Sequence, residues 1–262
     1  MELKEFQIKT LAQVKNYLEL VAKERKSGNL KHARTDAWVA LELKNYKERS
    51  NGLGQDLPNF CLKIPTGGGK TFLAVKAIDL VNISYRQKQT GLILWVVPTT
   101  QIYRQTIQNL KNRDHPYRQH LDIASGGKTL IVEKNDHFSP DDIAENLVIL
   151  MLMLPAANRQ SKETLKVFQD NGGFTEFFPP EDHTGEQQKL LTEVSNLDAF
   201  GSDDGYWGRQ IKTSLGNVLR LLSPVIILDE GHKAYSEMAQ NTLYGLNPSL
   251  ILELSATPSP AS

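Results

Sequence analysis

Three consecutive glycines followed by a lysine and a threonine, Gly67-Gly68-Gly69-Lys70-Thr71, are the residues best suited to chemistry in this chain. A turn built from glycines lets successive backbone N–H groups converge on one anion. With Pro65 and Thr66 completing the loop, the amides of residues 65–71 would cradle the phosphates of a nucleotide. A helix beginning at Lys70 would add positive dipole density. The Lys70 ammonium would reach the β- and γ-phosphates, and the Thr71 hydroxyl would hold Mg²⁺. The spacing G-x-x-x-x-G-K-[ST] is met at Gly69, Lys70 and Thr71 but not at its first glycine, where Ile64 stands.

Two acids, Asp229 and Glu230, close a later apolar run, and His232 follows two residues on. A carboxylate at such a place can hold Mg²⁺ through its water shell, since Mg²⁺ takes few carboxylates beside phosphate oxygens. Asp229 suits that role, and Glu230 could orient or deprotonate an attacking water. Two hydroxyls, Ser255 and Thr257, follow another apolar run and could report the state of a γ-phosphate to another surface. Each group has a plainer reading: a glycine-rich turn, a solvated acidic pair, a surface histidine, a strand-end turn.

The elements that would position these residues argue for their collection at one place. Residues 92–97, 147–154 and 224–228 are unbroken apolar runs, 60–64 and 250–254 are apolar apart from Lys63 and Glu253, and a shorter run lies at about 129–132. Runs without alternation mean both faces are covered, as in a parallel sheet flanked by helices. Helical patterns are expected over about 70–87, 101–113, 186–197 and 209–222. Near the N-terminus, Leu11, Val14, Leu18 and Val21 share one helical face, and a second helix is expected over about 35–48. In the helix after the glycines the polar positions are few, Lys76, Asp79 and Asn82. Strands alternating with helices predict a doubly wound α/β fold, mostly parallel. Ligands in such folds sit at the carboxyl ends of the strands. Residues 65–71, 98–100, 229–232 and 255–257 each follow the end of a predicted strand, and unrelated loops would not gather there.

Formal net charge is zero, so any contact with nucleic acid must come from local basic patches. Arg104, Lys111, Arg113 and Arg118 are such a group, although a solvated helix face explains them equally. The single cysteine, Cys61, excludes an internal disulfide framework and is expected to pack as a small core residue. No signal peptide or run long enough to span a bilayer is evident, so a soluble cytoplasmic protein is expected.

Taken in order, Pro65 to Thr71, Asp229-Glu230-Gly231-His232 and Ser255-Ala256-Thr257-Pro258 resemble the first RecA-like, ATP-binding domain of a superfamily 2 helicase or translocase of the DExH type. Asp229 to Lys233, and the apolar strand followed by Ala157-Asn158, look most like the motor subunits of type III restriction enzymes and related bacterial defence proteins. The resemblance implies ATP and Mg²⁺ as cofactors. It implies Lys70 and Thr71 on phosphate and metal, Asp229 on metal, Glu230 activating water, and His232, Ser255 and Thr257 coupling hydrolysis to movement. Phe6-Gln7 is similar to the adenine-reading glutamine motif, so Gln7 would bond the base. Pro98, Thr99, Thr100 and Gln105 resemble the first nucleic-acid-contacting motif and would meet a phosphate backbone.

The organisation expected on this basis is a helical N-terminal segment over 1–57 and a RecA-like domain over 58–262, with an insertion at about 155–220. A motor of this group uses a second RecA-like domain that supplies arginine fingers worth ~10³–10⁵ in rate. The sequence reads as an isolated first domain or a fragment of a longer chain, so weak ATP binding, poor hydrolysis and no unwinding by it alone are expected. The implied partners are DNA, most simply double-stranded, the second motor domain, and a modification or specificity subunit, in the bacterial cytoplasm. An RNA helicase domain and a non-catalytic nucleotide-binding assembly module remain as alternatives.

Overall fold

The computed structural model describes residues 2–44, 46–153, 167, 169, 172–202, 204–205, 208–230 and 237–256. In chain order the strands are β1 (Asn59–Lys63), β2 (Gly91–Val97), β3 (Thr129–Glu133), β4 (Leu147–Met153), β5 (Ala199–Phe200), β6 (Gln210–Ile211), β7 (Val225–Asp229) and β8 (Leu250–Ser255). The helices are α1 (Glu5–Lys26), α2 (Ala33–Ala40), α3 (Lys70–Leu80), α4 (Thr100–Lys111), α5 (Pro116–Ala124), α6 (Pro140–Glu145), α7 (Thr184–Glu193), α8 (Leu215–Leu222) and α9 (Glu237–Tyr244).

Six strands form one sheet in the order β1-β8-β7-β2-β4-β3, and every pairing is parallel. Parallel neighbours put all six carboxyl ends on one rim. Every residue of β2, β7 and β8 is buried, the polar Asp229, Glu253 and Ser255 included, as expected of mostly apolar strands covered by helices on both faces. On one face Leu18 and Val21 of α1 and Ala74 and Ile78 of α3 pack with Ile93, Trp95, Leu252 and Leu254. On the other, Val218 and Leu219 of α8 and Leu243 of α9 meet Leu94, Val96, Ile226 and Leu228. Burying a side chain of this size stabilises by about 1.5–3 kcal/mol, so these two layers fix the sheet and with it the rim.

Several elements differ from the sequence reading. The helix expected over 70–87 is α-helical only to Leu80 and continues as a π-helical turn, Val81–Arg86. Asn82 is buried rather than solvated, and its Oδ1 accepts from Arg86 Nη1 at 3.0 Å. The second helix is confined to Ala33–Ala40. Residues 209–222 are not one helix: β6 pairs with β5 before Ser214 caps α8, its hydroxyl accepting from Asn217 N. Cys61 is half-buried, because alternate residues of the edge strand β1 are only partly covered. Three helices go unforeseen. In α5, His115 caps and Pro116 starts the first turn; α6 opens on a Ser139–Asp142 capping box. The third is α9. No described helix is long and apolar enough to cross a membrane.

Candidate active site

The three strands that lead into the candidate residues are neighbours, with β8 seated between β1 and β7. Past the end of β1, Ile64 N donates to Ser255 O at 2.9 Å, carrying the pairing one step further. The chain then turns sharply: Gly68 N donates to Pro65 O at 2.9 Å, and Gly67 and Gly69 hold φ of 75° and 78°. That left-handed conformation suits glycine. A Cβ on Gly68 would lie 2.8 Å from both Ile64 Cγ2 and Pro65 O. Ile64, which stands where the phosphate-loop pattern has its first glycine, therefore packs against a residue that must lack a side chain. Its own burial, at 1% exposed, makes it a wedge under the loop. Lys70 and Thr71 follow at the first turn of α3.

Gln7 closes the loop from its other side. Its Nε2 donates to Gly68 O at 2.8 Å, and its Oε1 accepts from Lys4 N at 2.8 Å. A Cβ on Gly69 would lie 2.8 Å from the same Nε2. Both ends of the amide are engaged within the protein, and the residue is 4% exposed. Spacing along the chain gave no sign of this contact, since 61 residues separate the partners.

On β7, Asp229 is the last residue and is 4% exposed. Burial, reinforced by the neighbouring Glu230 charge, pushes its carboxyl up to about 6 against the opposing pull of Lys70. Glu230 extends the ladder, its N–H donating to Leu254 O at 2.9 Å, and adopts φ of 54°. A side chain held in that region costs on the order of 1–3 kcal/mol, which the surrounding structure must offset. The turn sends the Glu230 carboxylate to Lys70, with Nζ to Oε1 at 2.7 Å and both side chains mostly buried. Lys70 and the two acids, 159 and 160 positions further along the sequence, thus share one spot at the rim.

Ser255 ends β8 at this rim, fully buried. His232 and Thr257 lie outside the described residues, as do Gly231, Pro258 and Ala157-Asn158. One strand further along, Pro98 is half-buried and Thr99 and Thr100 are exposed. The Thr99 hydroxyl caps α4 by accepting from Ile102 N at 3.3 Å, so that helix also directs its first-turn amides toward the rim. Gln105 and Arg104 are exposed on α4, and Arg113 is exposed just beyond it. Lys111 pairs with Glu133 at 2.5 Å. Arg118 does not belong to an exposed basic face: it is buried, pairs with Asp122 at 2.8 Å and donates to Thr129 O at 2.9 Å.

The residues fit a nucleotide with Mg²⁺. Ile64, Pro65 and Gln7 pack where Cβ atoms on Gly68 and Gly69 would lie, whereas Gly67 has open space beside it, so the loop is braced from behind with backbone free to meet a phosphate at Gly67. Burial, and then the neighbouring Glu230 charge, raise the Asp229 carboxyl, and a divalent cation beside it would offset both.

The profile of the family described as "Type III restriction enzyme, res subunit" matches residues 1–260. The chain belongs to that family. It is thereby a helicase-like RecA domain of the restriction and defence type, and the parallel six-stranded sheet is the architecture such domains have. Res-subunit domains are helicase-like ATPases that generally use ATP and Mg²⁺ and act on DNA. No curated relative matches the chain.

Proposed function

We propose that this res-subunit domain binds ATP with Mg²⁺ and hydrolyses it to drive movement on double-stranded DNA. The observation carrying the reading is the meeting of Lys70, Glu230 and the buried Asp229 at the tips of neighbouring strands. The amides of Pro65, Thr66, Gly67, Gly68 and Gly69 would line the phosphates. Lys70 would leave Glu230 to take the β- and γ-oxygens, and Thr71 and Asp229 would hold Mg²⁺, which supplies charge neutralisation between the phosphates. Released from the lysine, Glu230 would take a proton from water as its oxygen attacks the γ-phosphorus and the bond to ADP breaks. Gln7, with both amide ends occupied, is better suited to holding the loop than to reading a base. His232, Ser255 and Thr257 would couple hydrolysis to movement. Pro98, Thr99, Thr100 and Gln105 would meet the DNA backbone. A segment over 1–57, a second RecA-like domain, a modification subunit and a bacterial cytoplasmic setting complete the proposal.

The test is titration with a fluorescent ATP analogue, with and without Mg²⁺, on the chain and on Lys70→Ala. Magnesium-dependent association that Lys70→Ala abolishes is expected, with turnover raised by duplex DNA and not by RNA. Equal affinity of the two proteins would remove the basis of the reading. Stimulation by RNA alone would reassign the track.

A further inference from the structure

The opposite rim, where the strands begin, carries a cleft that the nucleotide reading leaves unused. One chamber, of about 610 Å³, lies among Arg25, Lys31, His32, the 48–56 loop, Ser223 and the 247–249 turn. A second, of about 460 Å³, lies among Arg25, Lys26, Arg86, Lys88, Ser223 and Ser249. Arg25, Ser223 and Ser249 line both, so the chambers adjoin. Asp56, Ser223 and Ser249 shortly precede β1, β7 and β8, whose far ends bear the candidate active site. The two places are a strand length apart, roughly 17–20 Å.

The smaller chamber has four cations and no acid in its lining. Among the described residues none of Arg25, Lys26, Lys31, Arg86 and Lys88 forms an ion pair, whereas Lys9, Lys111, Arg118 and Arg220 elsewhere do. Arg86 is held by the neutral acceptors Asn82 Oδ1 and Thr90 O. In a chain of zero net charge this is a local surplus. The plain explanation is neutralisation of helix C-termini, because α1, the π-helical turn and α8 all end here. Three such ends carry only about −1.5 charges between them. With Asp56 paired to Arg34 and Glu48 the remaining acid, an excess of roughly two to three positive charges persists after that compensation.

The larger chamber is built differently. Asp56 lines it with a side chain 7% exposed, and its Oδ2 is buried without a partner, as is Arg25 Nε. Arg25 itself is fixed between the chambers, donating to Tyr85 OH at 2.5 Å and to Asp56 O at 3.2 Å. The side-chain amides of Asn51 and Asn247 are spent on Leu53, Gln55, Asn196 and Arg220, so the exposed Glu48, Ser50 and Gln55 are the groups on this side that a ligand bearing hydroxyl or amino groups would meet.

We propose that this cleft is a second binding site, for a small polyanion with a polar head of the nucleoside di- or triphosphate class. The phosphates would lie toward Lys26, Arg86 and Lys88, and the head would lie toward the exposed Glu48, Ser50 and Gln55. The site needs no Mg²⁺, because the cations are the protein's own, and it does not depend on the roles proposed for Lys70 or Glu230.

Calorimetric titration of ADP in EDTA into the Lys70→Ala chain tests it. About one ADP per chain is expected, weakened at least ~10-fold by adding Lys26→Glu and Lys88→Glu, both at exposed positions. Absence of binding in Lys70→Ala, or indifference to the charge reversals, would overturn the proposal. Inorganic tripolyphosphate is the second arm: it should bind ~10-fold less tightly than ADP if the mixed chamber takes a head group, and equal binding would refute that half. Wild-type chain in Mg²⁺ should show one site more than Lys70→Ala. If Lys70→Ala loses no site while the charge reversals lose one, the active-site reading fails and this one stands.

Discussion

Replacing Glu230 by glutamine should tighten nucleotide binding while removing hydrolysis. Lys70 and Glu230 form their contact at 2.7 Å with side chains only 11% and 22% exposed. Exposed pairs contribute about 0.2–1 kcal/mol, and breaking a fully buried one costs about 3–5 kcal/mol. A mostly buried pair that still touches solvent belongs between them, at roughly 1–2 kcal/mol. Phosphate must take Lys70 away from Glu230, so that amount is spent on every binding event. Glutamine keeps the size and the main-chain turn and removes the charge, which also relieves repulsion of the phosphates. Since about 1.4 kcal/mol is tenfold in affinity, Glu230→Gln should bind an ATP analogue ~5–30-fold more tightly. Loss of a positioned base should lower whatever turnover the chain supports by ~10²–10⁴. Fluorescence titration and phosphate release measure the two effects. Glu133→Gln, on the far edge strand β3, is the control and should change neither. Unchanged or weaker binding by Glu230→Gln would refute the idea that the lysine is held by this acid before nucleotide arrives.

Gln7→Ala removes the 2.8 Å bond to Gly68 O and should weaken ATP and GTP alike, by roughly fivefold for about 1 kcal/mol; a loss confined to ATP would show that the glutamine reads the base. Asp229 sits at about 6, above the 3.8 of a free aspartate, so the folded chain binds the extra proton between those values. The sign is that stability falls as pH rises through that window, leaving a cost on the order of 2–3 kcal/mol at pH 7. Asp229→Asn should therefore raise the melting temperature at pH 7 while abolishing Mg²⁺-dependent binding, and in the parent chain that binding should fade below about pH 6. Arg34, 1% exposed, pairs with Asp56 and donates to Leu57 O. Arg34→Met should cost about 3–5 kcal/mol in denaturant unfolding by stranding the Asp56 charge, and a loss under 1 kcal/mol would show that the carboxyl simply takes a proton.

The strands were legible because buried parallel strands carry no alternation to misread: residues 92–97 and 250–254 fall within β2 and β8 almost to the residue. Their order in the sheet was not, since nothing local in β8 says that it inserts between β1 and β7. Short helices escaped for a different reason. The capping box at Ser139 and the proline after His115 were both in the sequence, but α6 has no buried side chain and α5 only three, too few to make a periodicity. Arg118 shows the reverse error, a charge counted as solvent-facing that spends its hydrogen bonds on Asp122, Leu110 and Thr129.

The phosphate loop shows why motif matching and physical reading part company at single positions. By pattern, Ile64 is a defect, because a glycine is wanted there. In space the Ile64 Cγ2 methyl and the Pro65 carbonyl occupy the place that a side chain on residue 68 would need, and Gly68 has none. What the loop requires is therefore a combined volume at two positions, not a glycine at one. Gln7 then fixes the remaining freedom from 61 residues away, through a carbonyl that any residue at position 68 would present. The contact reads no side chain, so no pattern of residue types could announce it. The identities of Lys70, Asp229 and Glu230 were visible because their chemistry lies in their side chains. The support that aims them was hidden because it runs through backbone atoms: Gly68 O under Gln7, Ser255 O under Ile64, and Leu254 O under Glu230.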